Sequence, residues 1–406
     1  MNKPKVQEDI VPAEGGSPAA NPEGHTPMGI PSEIIEGDPT ADPTGDRFAT
    51  EVAPLRIEKD GRQNGQRRLN LLKRTSKPTR SRGGRVRPCL PDPLSRPLPS
   101  VIAIRTATMN QETMKARISE GSGFIAALDQ SGGSTPGALR LYGIPDNAYN
   151  GDGEMFRLMH EMRVRIMTAP AFTGDKILAA ILFEGTMDGQ AQGRPVPAFL
   201  SEERGVIPFV KVDKGLEAER DGVSMMKPMP EFDALLTRAT ALGVFGTKMR
   251  SVINLPSKPG IAAIVKQQFE VAVRIAKHGL MPIIEPEVSI RSPDKAAAEA
   301  ILLDELAKGL DTLPDGTQVM LKLTIPDVPD LYSGLKTHER VMRIVALSGG
   351  YTRADACRRL AANHGMIASF SRALIDDLRK SMSDAEFDAE LEKTVDEIYT
   401  ASTVKT

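Results

Sequence analysis

From Met109 onward the chain repeats one pattern of apolar and polar positions. A short apolar run rich in β-branched residues ends in a charged or hydroxyl residue; a loop follows, then a helix-length amphipathic stretch. The apolar runs fall at 124–129, 177–184, 206–213, 244–250, 281–287, 319–324, 343–350 and 367–372. Apolar runs of this kind suit strands buried on both faces, as in a parallel sheet covered by helices. The stretches 154–167, 232–242, 261–278, 295–310, 353–364 and 384–399 carry helical periodicity. Gly279 sits where a helix C-cap glycine is expected, and the residues after Met109 read as the start of a further amphipathic helix.

Eight such units in roughly 300 residues predict an α/β fold of the TIM (β/α)8 barrel class, whose typical size is about 250 residues. The alternative, a doubly wound open sheet, usually carries a glycine-rich phosphate loop after its first strand. Here that strand runs into Leu128-Asp129-Gln130-Ser131-Gly132-Gly133-Ser134, which is neither a dinucleotide fingerprint nor a Walker loop.

Composition divides the chain near residue 108. Residues 1–108 hold about half of the prolines in roughly a quarter of the length, a bias typical of disorder. The expected organisation is a disordered extension over 1–108, Pro/Gly-rich and then Arg-rich, followed by a barrel domain over 109–406. The basic run at 56–87 could contact nucleic acid. It has no aromatic residue for base stacking and no helical apolar stripe, so a solvated tail is the reading adopted and a nucleic-acid partner is not expected. The acidic start does not suit a mitochondrial presequence. An upstream extension with no part in the fold, or a start site properly at Met109, would produce the same pattern.

The whole chain of 406 residues is 40% hydrophobic and 26% charged with a formal net charge of −1, so bulk charge draws it to no polyanion. Two cysteines, Cys89 and Cys357, make a disulfide framework improbable and fit a reducing cytoplasm. No apolar run approaches the roughly 18 residues of a membrane span. A homo-oligomer is left open.

In a TIM barrel the C-terminal strand ends form the active site. That rule selects Asp129, Glu184, Lys211, Lys248, Arg250, Glu285, Glu287, Lys322, Ser348 and Arg372. One strand-end lysine is easily a surface cap; three on separate strands, with carboxylates on others, point to a site. A lysine attacks a carbonyl when its amine is neutral, which burial and neighbouring cations promote. Lys322, inside Val319-Met320-Leu321-Lys322-Leu323, has the most apolar flanks. Lys248 and Lys322 fall on the fourth and sixth strands, so they should face one layer of the barrel, with Lys322 the better candidate for the neutral amine. Such chemistry needs a carboxylate to move protons, and Glu285 and Asp129 are available. Glu285 and Glu287 alternate along a strand and share a face. The metal-dependent route to aldol cleavage favours histidine, cysteine or clustered carboxylates, but all five histidines fall away from the strand ends. No cofactor is therefore expected. Ser348-Gly349-Gly350 and Ser371-Arg372 follow strands seven and eight, where this fold commonly binds phosphate. Ser131, Ser134, Lys211 and Arg250 could hold a second phosphate.

These segments, in this order, resemble the class I fructose-bisphosphate aldolases of the compact, bacterial-like type over residues 109–402. The motifs are Leu-Asp129-Gln-Ser-Gly-Gly-Ser, Val-Lys211-Val-Asp-Lys-Gly, Gly-Thr-Lys248-Met-Arg250, Glu285-Pro-Glu287, Leu-Lys322-Leu-Thr, Leu-Ser348-Gly-Gly and Ser371-Arg372-Ala-Leu. The resemblance implies a Schiff base on Lys322. It implies Glu285 as the acid/base for carbinolamine dehydration, with Lys248 and Glu287 beside it, and Asp129 as acceptor of the C4 hydroxyl proton. It implies that Ser348, Gly349, Ser371 and Arg372 bind the phosphate of the ketone half, and that Lys211, Arg250, Ser131 and Ser134 contact the other phosphate or nearby hydroxyls. The implied partner is a small-molecule sugar bisphosphate. Two departures stand out: Gln130 replaces a glutamate common in animal enzymes, and no terminal tyrosine is present. A lysine-dependent aldolase of transaldolase or deoxyribose-phosphate type is the competing enzyme class.

Overall fold

The computed structural model describes residues 109–131 and 133–406. The expected extension over 1–108, with its basic run and Cys89, lies outside the described residues.

All eight apolar runs form strands: β1 (Phe124–Leu128), β2 (Ile177–Leu182), β3 (Ile207–Lys211), β4 (Gly246–Ile253), β5 (Met281–Val288), β6 (Val319–Thr324), β7 (Val341–Leu347) and β8 (Met366–Phe370). Each pairs in parallel with the next, and β8 returns to β1 through Ile125 opposite Ser369. The sheet is thus a closed barrel, which excludes the open doubly wound alternative. Around it lie α1 (Gln111–Glu120), α2 (Thr135–Leu141), α3 (Gly151–Thr168), α4 (Phe232–Ala241), α5 (Lys258–Lys277), α6 (Lys295–Asp311), α7 (Arg353–Ala361) and α8 (Asp384–Thr403). Helix α2, on the loop after β1, was not anticipated.

Local chemistry sets the helix ends. The Asn110 side chain accepts from Thr113 N–H at 2.8 Å and starts α1. Gly279, at φ 73°, follows the end of α5 as expected. Ser383 and Glu386 form a reciprocal capping box on α8.

The two-residue strand period separates two cores. Phe124, Ala126, Leu128, Leu321 and Leu323 point outward beneath the helices. Ile125, Ala127, Ile181, Phe209, Ile283, Met320, Val345 and Ile367 point inward and fill the barrel. Full burial of a large apolar side chain contributes roughly 1.5–3 kcal/mol, so the packed interior is a main source of stability. Gly246 lets that packing close: a Cβ there would lie 2.5 Å from the Phe209 ring and 2.2 Å from the Met281 carbonyl oxygen. At the N-terminal end of the strands, Met114 and Ile118 of α1 join the inner cluster as a floor. Arg343 fastens that floor by donating to the carbonyls of Ile118, Ser119 and Gly121 at the end of α1.

Candidate active site

The alternation that fills the barrel continues past its apolar layers. On β1 the inward series is Ile125, Ala127, Asp129; on β3 it is Ile207, Phe209, Lys211; on β6 it is Met320, Lys322. On β4 and β5 the same period aligns Gly246, Lys248, Arg250 and Ile283, Glu285, Glu287. Polar side chains at these positions rise from the packed layers into a cavity of about 520 Å³ at the C-terminal strand ends. All thirteen residues to which the resemblance gives a role line it: Asp129, Ser131, Ser134, Lys211, Lys248, Arg250, Glu285, Glu287, Lys322, Ser348, Gly349, Ser371 and Arg372.

At its base the charges form one connected chain. Asp129 Oδ2 lies 2.5 Å from Lys248 Nζ, Lys248 Nζ lies 2.9 Å from Glu285 Oε2, and Glu285 Oε1 lies 3.0 Å from Lys322 Nζ. All four residues are buried. Burial raises the proton affinity of Asp129, but Lys248, Lys322 and Lys211 together outweigh it and hold the carboxyl well below the usual range. Glu285 is lowered by the same balance, with Lys248 the largest attraction. Burial opposes the charge on Lys248, yet Asp129, Glu285 and Asp213 carry its proton affinity well above that of a free lysine. Lys248 is therefore a fixed ammonium held by two carboxylates. Lys322 shares only one of these carboxylates.

The backbone around this chain is fastened from outside the barrel. Gln268, fully buried on α5, accepts from Glu285 N–H at 2.8 Å. Beyond β6, buried Lys295 donates to Glu299, to the Ile325 carbonyl and to Asp327, while Asp327 N–H donates to Glu299. That network fixes the exit of the strand carrying Lys322.

Toward the mouth, the cavity has two unlike ends. At one, Lys211 Nζ pairs with Asp213 at 2.5 Å, and Arg250 Nε pairs with Glu287 at 2.5 Å. Asp213 also accepts from the backbone N–H groups of Arg250 and Gly215, so one buried carboxylate ties the ends of β3 and β4 together. Burial is the largest influence on Lys211 and depresses its proton affinity; Asp213 opposes it without restoring the usual value. At the other end stand Ser348, Gly349, Ser371 and Arg372. Gly349 and Gly350 adopt φ of 60° and 114°, a backbone that only glycine takes without strain. A Cβ on Gly350 would come within 3.2 Å of the Arg372 guanidinium. Among the described residues, no carboxylate lies within ion-pair distance of Arg372. Ser131 and Ser134 lie on the turn into α2, where the Ser134 hydroxyl donates to the Ser131 carbonyl at 3.1 Å.

One strand-end expectation is corrected. Glu184 does not line the cavity; the chain turns at Phe183 into a short helical segment, and Glu184 pairs with Lys214 and Arg238. Glu287 does line it, but its partner is Arg250 and not a lysine of the base. Four residues went unnoticed. Asp213 and Ser369 extend inward series already identified on β3 and β8, and Ser369 Oγ lines the cavity, buried and without a partner. Arg163 and Gln268 sit among apolar positions on the buried faces of α3 and α5, a polar interruption that marks a residue with a partner across the interface. Among the described residues no three His, Cys, Asp or Glu side chains converge as metal ligands would.

The family model described as fructose-bisphosphate aldolase class-I matches residues 109–314. The fructose-bisphosphate aldolase class 1 of Synechocystis sp. is 54% identical over 297 residues, covering 73% of this chain and 99% of that protein. Among solved structures, fructose-bisphosphate aldolase from Plasmodium falciparum, crystallised with TRAP and an inhibitor, superposes with a TM-score of 0.59 at 20% identity, covering 73% of this chain and 95% of that one; it bears on the fold alone.

Proposed function

This chain belongs to the class I fructose-bisphosphate aldolases, and on that premise we propose that Lys322 is the amine that attacks the ketone of fructose 1,6-bisphosphate. The reaction is the reversible cleavage of that sugar to dihydroxyacetone phosphate and glyceraldehyde 3-phosphate. The observation that carries the assignment of Lys322 is its 3.0 Å contact with Glu285 inside the cavity, while Lys248 is held between two carboxylates.

The proton balance follows from that contact. The Lys322 ammonium passes a proton to Glu285 and becomes a neutral nucleophile. Its nitrogen adds to the C2 carbonyl to give a carbinolamine, and Glu285 returns the proton to the C2 hydroxyl, which leaves as water. The iminium that remains is an electron sink. Asp129, held ionised beside Lys248, takes the C4 hydroxyl proton, the C3–C4 bond breaks, and its electron pair flows to the iminium as an enamine. Glyceraldehyde 3-phosphate departs. The enamine gains a proton at C3 while Asp129 gives up the one it took, and hydrolysis of the iminium releases dihydroxyacetone phosphate and restores Lys322. Lys248 keeps its proton throughout and compensates the carboxylates on either side.

In this reading Ser348, Gly349, Ser371 and Arg372 hold the phosphate of the ketone half. Lys211 and Arg250, with Ser131 and Ser134, hold the other, and Glu287 acts through Arg250. The open guanidinium and glycine backbone at one end, and the cation pair at the other, support it. Work in glycolysis and gluconeogenesis, in the cytoplasm, fits the reaction and the two cysteines.

Borohydride reduction of the enzyme with dihydroxyacetone phosphate, followed by peptide mass mapping, tests the nucleophile. The adduct is expected on Lys322, and Lys322→Arg, always protonated and unable to form the imine, should abolish trapping and nearly all turnover. An adduct on Lys248 or Lys211 overturns the assignment.

A further inference from the structure

Gln130 follows the Asp129 carboxylate on β1 and lines the cavity. Its side chain is buried between two groups that are not otherwise connected. On one side is Arg163 of α3, among the largest fully buried side chains of the described residues. Arg163 Nη2 donates to the Gln130 carbonyl oxygen at 2.5 Å and approaches Gln130 Oε1 at 3.3 Å, while Nη1 donates to Thr186 Oγ1 at 2.8 Å. On the other side, Gln130 Nε2 donates to Ser371 Oγ at 2.7 Å.

This arrangement fixes which way the amide faces. Guanidinium is a donor only, so the amide oxygen must turn to Arg163 and the amide nitrogen to Ser371. Ser371 Oγ is then occupied as an acceptor. Its single hydroxyl proton is left to point elsewhere, and among the described residues no acceptor takes it. Ser371 lines the cavity with Ser348, Gly349 and Arg372.

We infer that Gln130, oriented by the buried Arg163, is a positioning residue that directs the Ser371 hydroxyl proton into the cavity as a donor for a phosphate oxygen. The inference rests on the reading that this end binds the phosphate of the ketone half. An ionised carboxylate at position 130 would reverse the bond. It accepts only, so it would draw the Ser371 proton to itself and set a negative charge behind the anion site. Arg163 keeps its charge at neutral pH, because burial brings it down only to about 10. The amide's orientation therefore does not change across the working range.

The test is a double-mutant cycle on the full-length enzyme, read as KM and kcat for fructose 1,6-bisphosphate and fructose 1-phosphate, which share the ketone-side phosphate. Gln130→Met keeps the length and removes both polar groups. It should raise KM about threefold for both substrates, with kcat within twofold, since one neutral hydrogen bond is at stake. Gln130→Glu should raise KM further, about tenfold, as a charged acceptor takes the proton. Ser371→Ala should raise KM for both substrates, and Gln130→Met should then add nothing in that background. Full additivity of the two substitutions, or wild-type KM in Gln130→Glu, overturns the positioning role. A Ser371→Ala enzyme with unchanged KM for both substrates instead removes Ser371 from the phosphate site and overturns the reading beneath it. Melting temperatures of Gln130→Met and Ser371→Ala near that of the parent enzyme show that the cycle reports on binding and not on unfolding.

Discussion

At one end of the cavity Arg372 stands at the mouth on a strand-to-helix turn, with glycine backbone beside it and, among the described residues, no carboxylate in pairing distance. At the other end Lys211 and Arg250 each already hold a carboxylate, and the Lys211–Asp213 pair is buried. The difference follows from depth. The Arg372 guanidinium is exposed to water at the mouth. A lysine near the packed layers loses hydration, and burial depresses its proton affinity, so it needs a counter-ion to remain an ammonium. An anion meeting Arg372 forms a new contact. An anion meeting Lys211 must share a cation with Asp213. The first end is suited to gripping, the second to discriminating between substrates with and without a second phosphate.

The largest effect separating the ends is expected from Arg372→Ala. Loss of a charge-assisted phosphate contact, roughly 1.5–3 kcal/mol, should raise KM on the order of ten- to a hundredfold. The rise should be equal for fructose 1,6-bisphosphate and fructose 1-phosphate. A rise confined to the bisphosphate in steady-state assays would exchange the two ends.

Asp213→Asn should act mainly at the other end, because Lys248 at the base keeps Asp129 and Glu285. The Arg250 and Gly215 N–H groups bond to different oxygens of Asp213, so the amide keeps an acceptor for only one of them and no longer neutralises Lys211. Lys211 already has a lowered proton affinity, so its charge is lost as pH rises, and without Asp213 that loss comes at lower pH. KM for the bisphosphate should therefore rise about tenfold at alkaline pH, as a charge-assisted phosphate contact is lost, and less at pH 6. Fructose 1-phosphate should be unaffected. A pH-independent rise for both substrates would make Asp213 a purely structural pin. Because breaking a buried pair costs stability, the melting temperature should fall as well.

The smallest effect is expected from removing residues 1–108, the Pro/Gly-rich and then basic stretch outside the described residues. We propose that a chain beginning at Met109 retains the KM of both ends and its melting temperature. A loss of several degrees in calorimetry would make the extension part of the domain.

Much of this was legible before any coordinates, because strand alternation is a two-residue code. Once Ile125 and Ala127 are inward, Asp129 follows, and the same count sends Met320 to Lys322 and Ile283 to Glu285. The code fails where a strand stops. Glu184 lies past the last paired residue of β2, where the chain has already turned, so its side chain leaves with the helical segment. Pairing is also invisible to it. Lys211, Lys248 and Lys322 look alike as strand-end lysines, yet one pairs with Asp213, one with two carboxylates, and one with the other oxygen of Glu285 alone. Those differences arise from distances between strands far apart in sequence. Arg163 is hidden for another reason: in a helix rich in methionine on its buried face, one arginine reads as surface charge until the end of β1 is seen above it.

The floor formed by Met114 and Ile118 closes the barrel at the N-terminal strand ends, so among the described residues the cavity opens at the opposite end. Beneath Lys322 the interior is filled by Met320, Ile283 and Phe209, all fully buried, so among the described residues no passage reaches its nitrogen from that side. On the proposed mechanism, the sugar, its two fragments and the water that frees the second fragment all use that opening. On that mechanism, traffic through it is sequential: the aldehyde clears the entrance before hydrolytic water takes its place, and the proposed covalent intermediate stays protected for as long as that first product lingers.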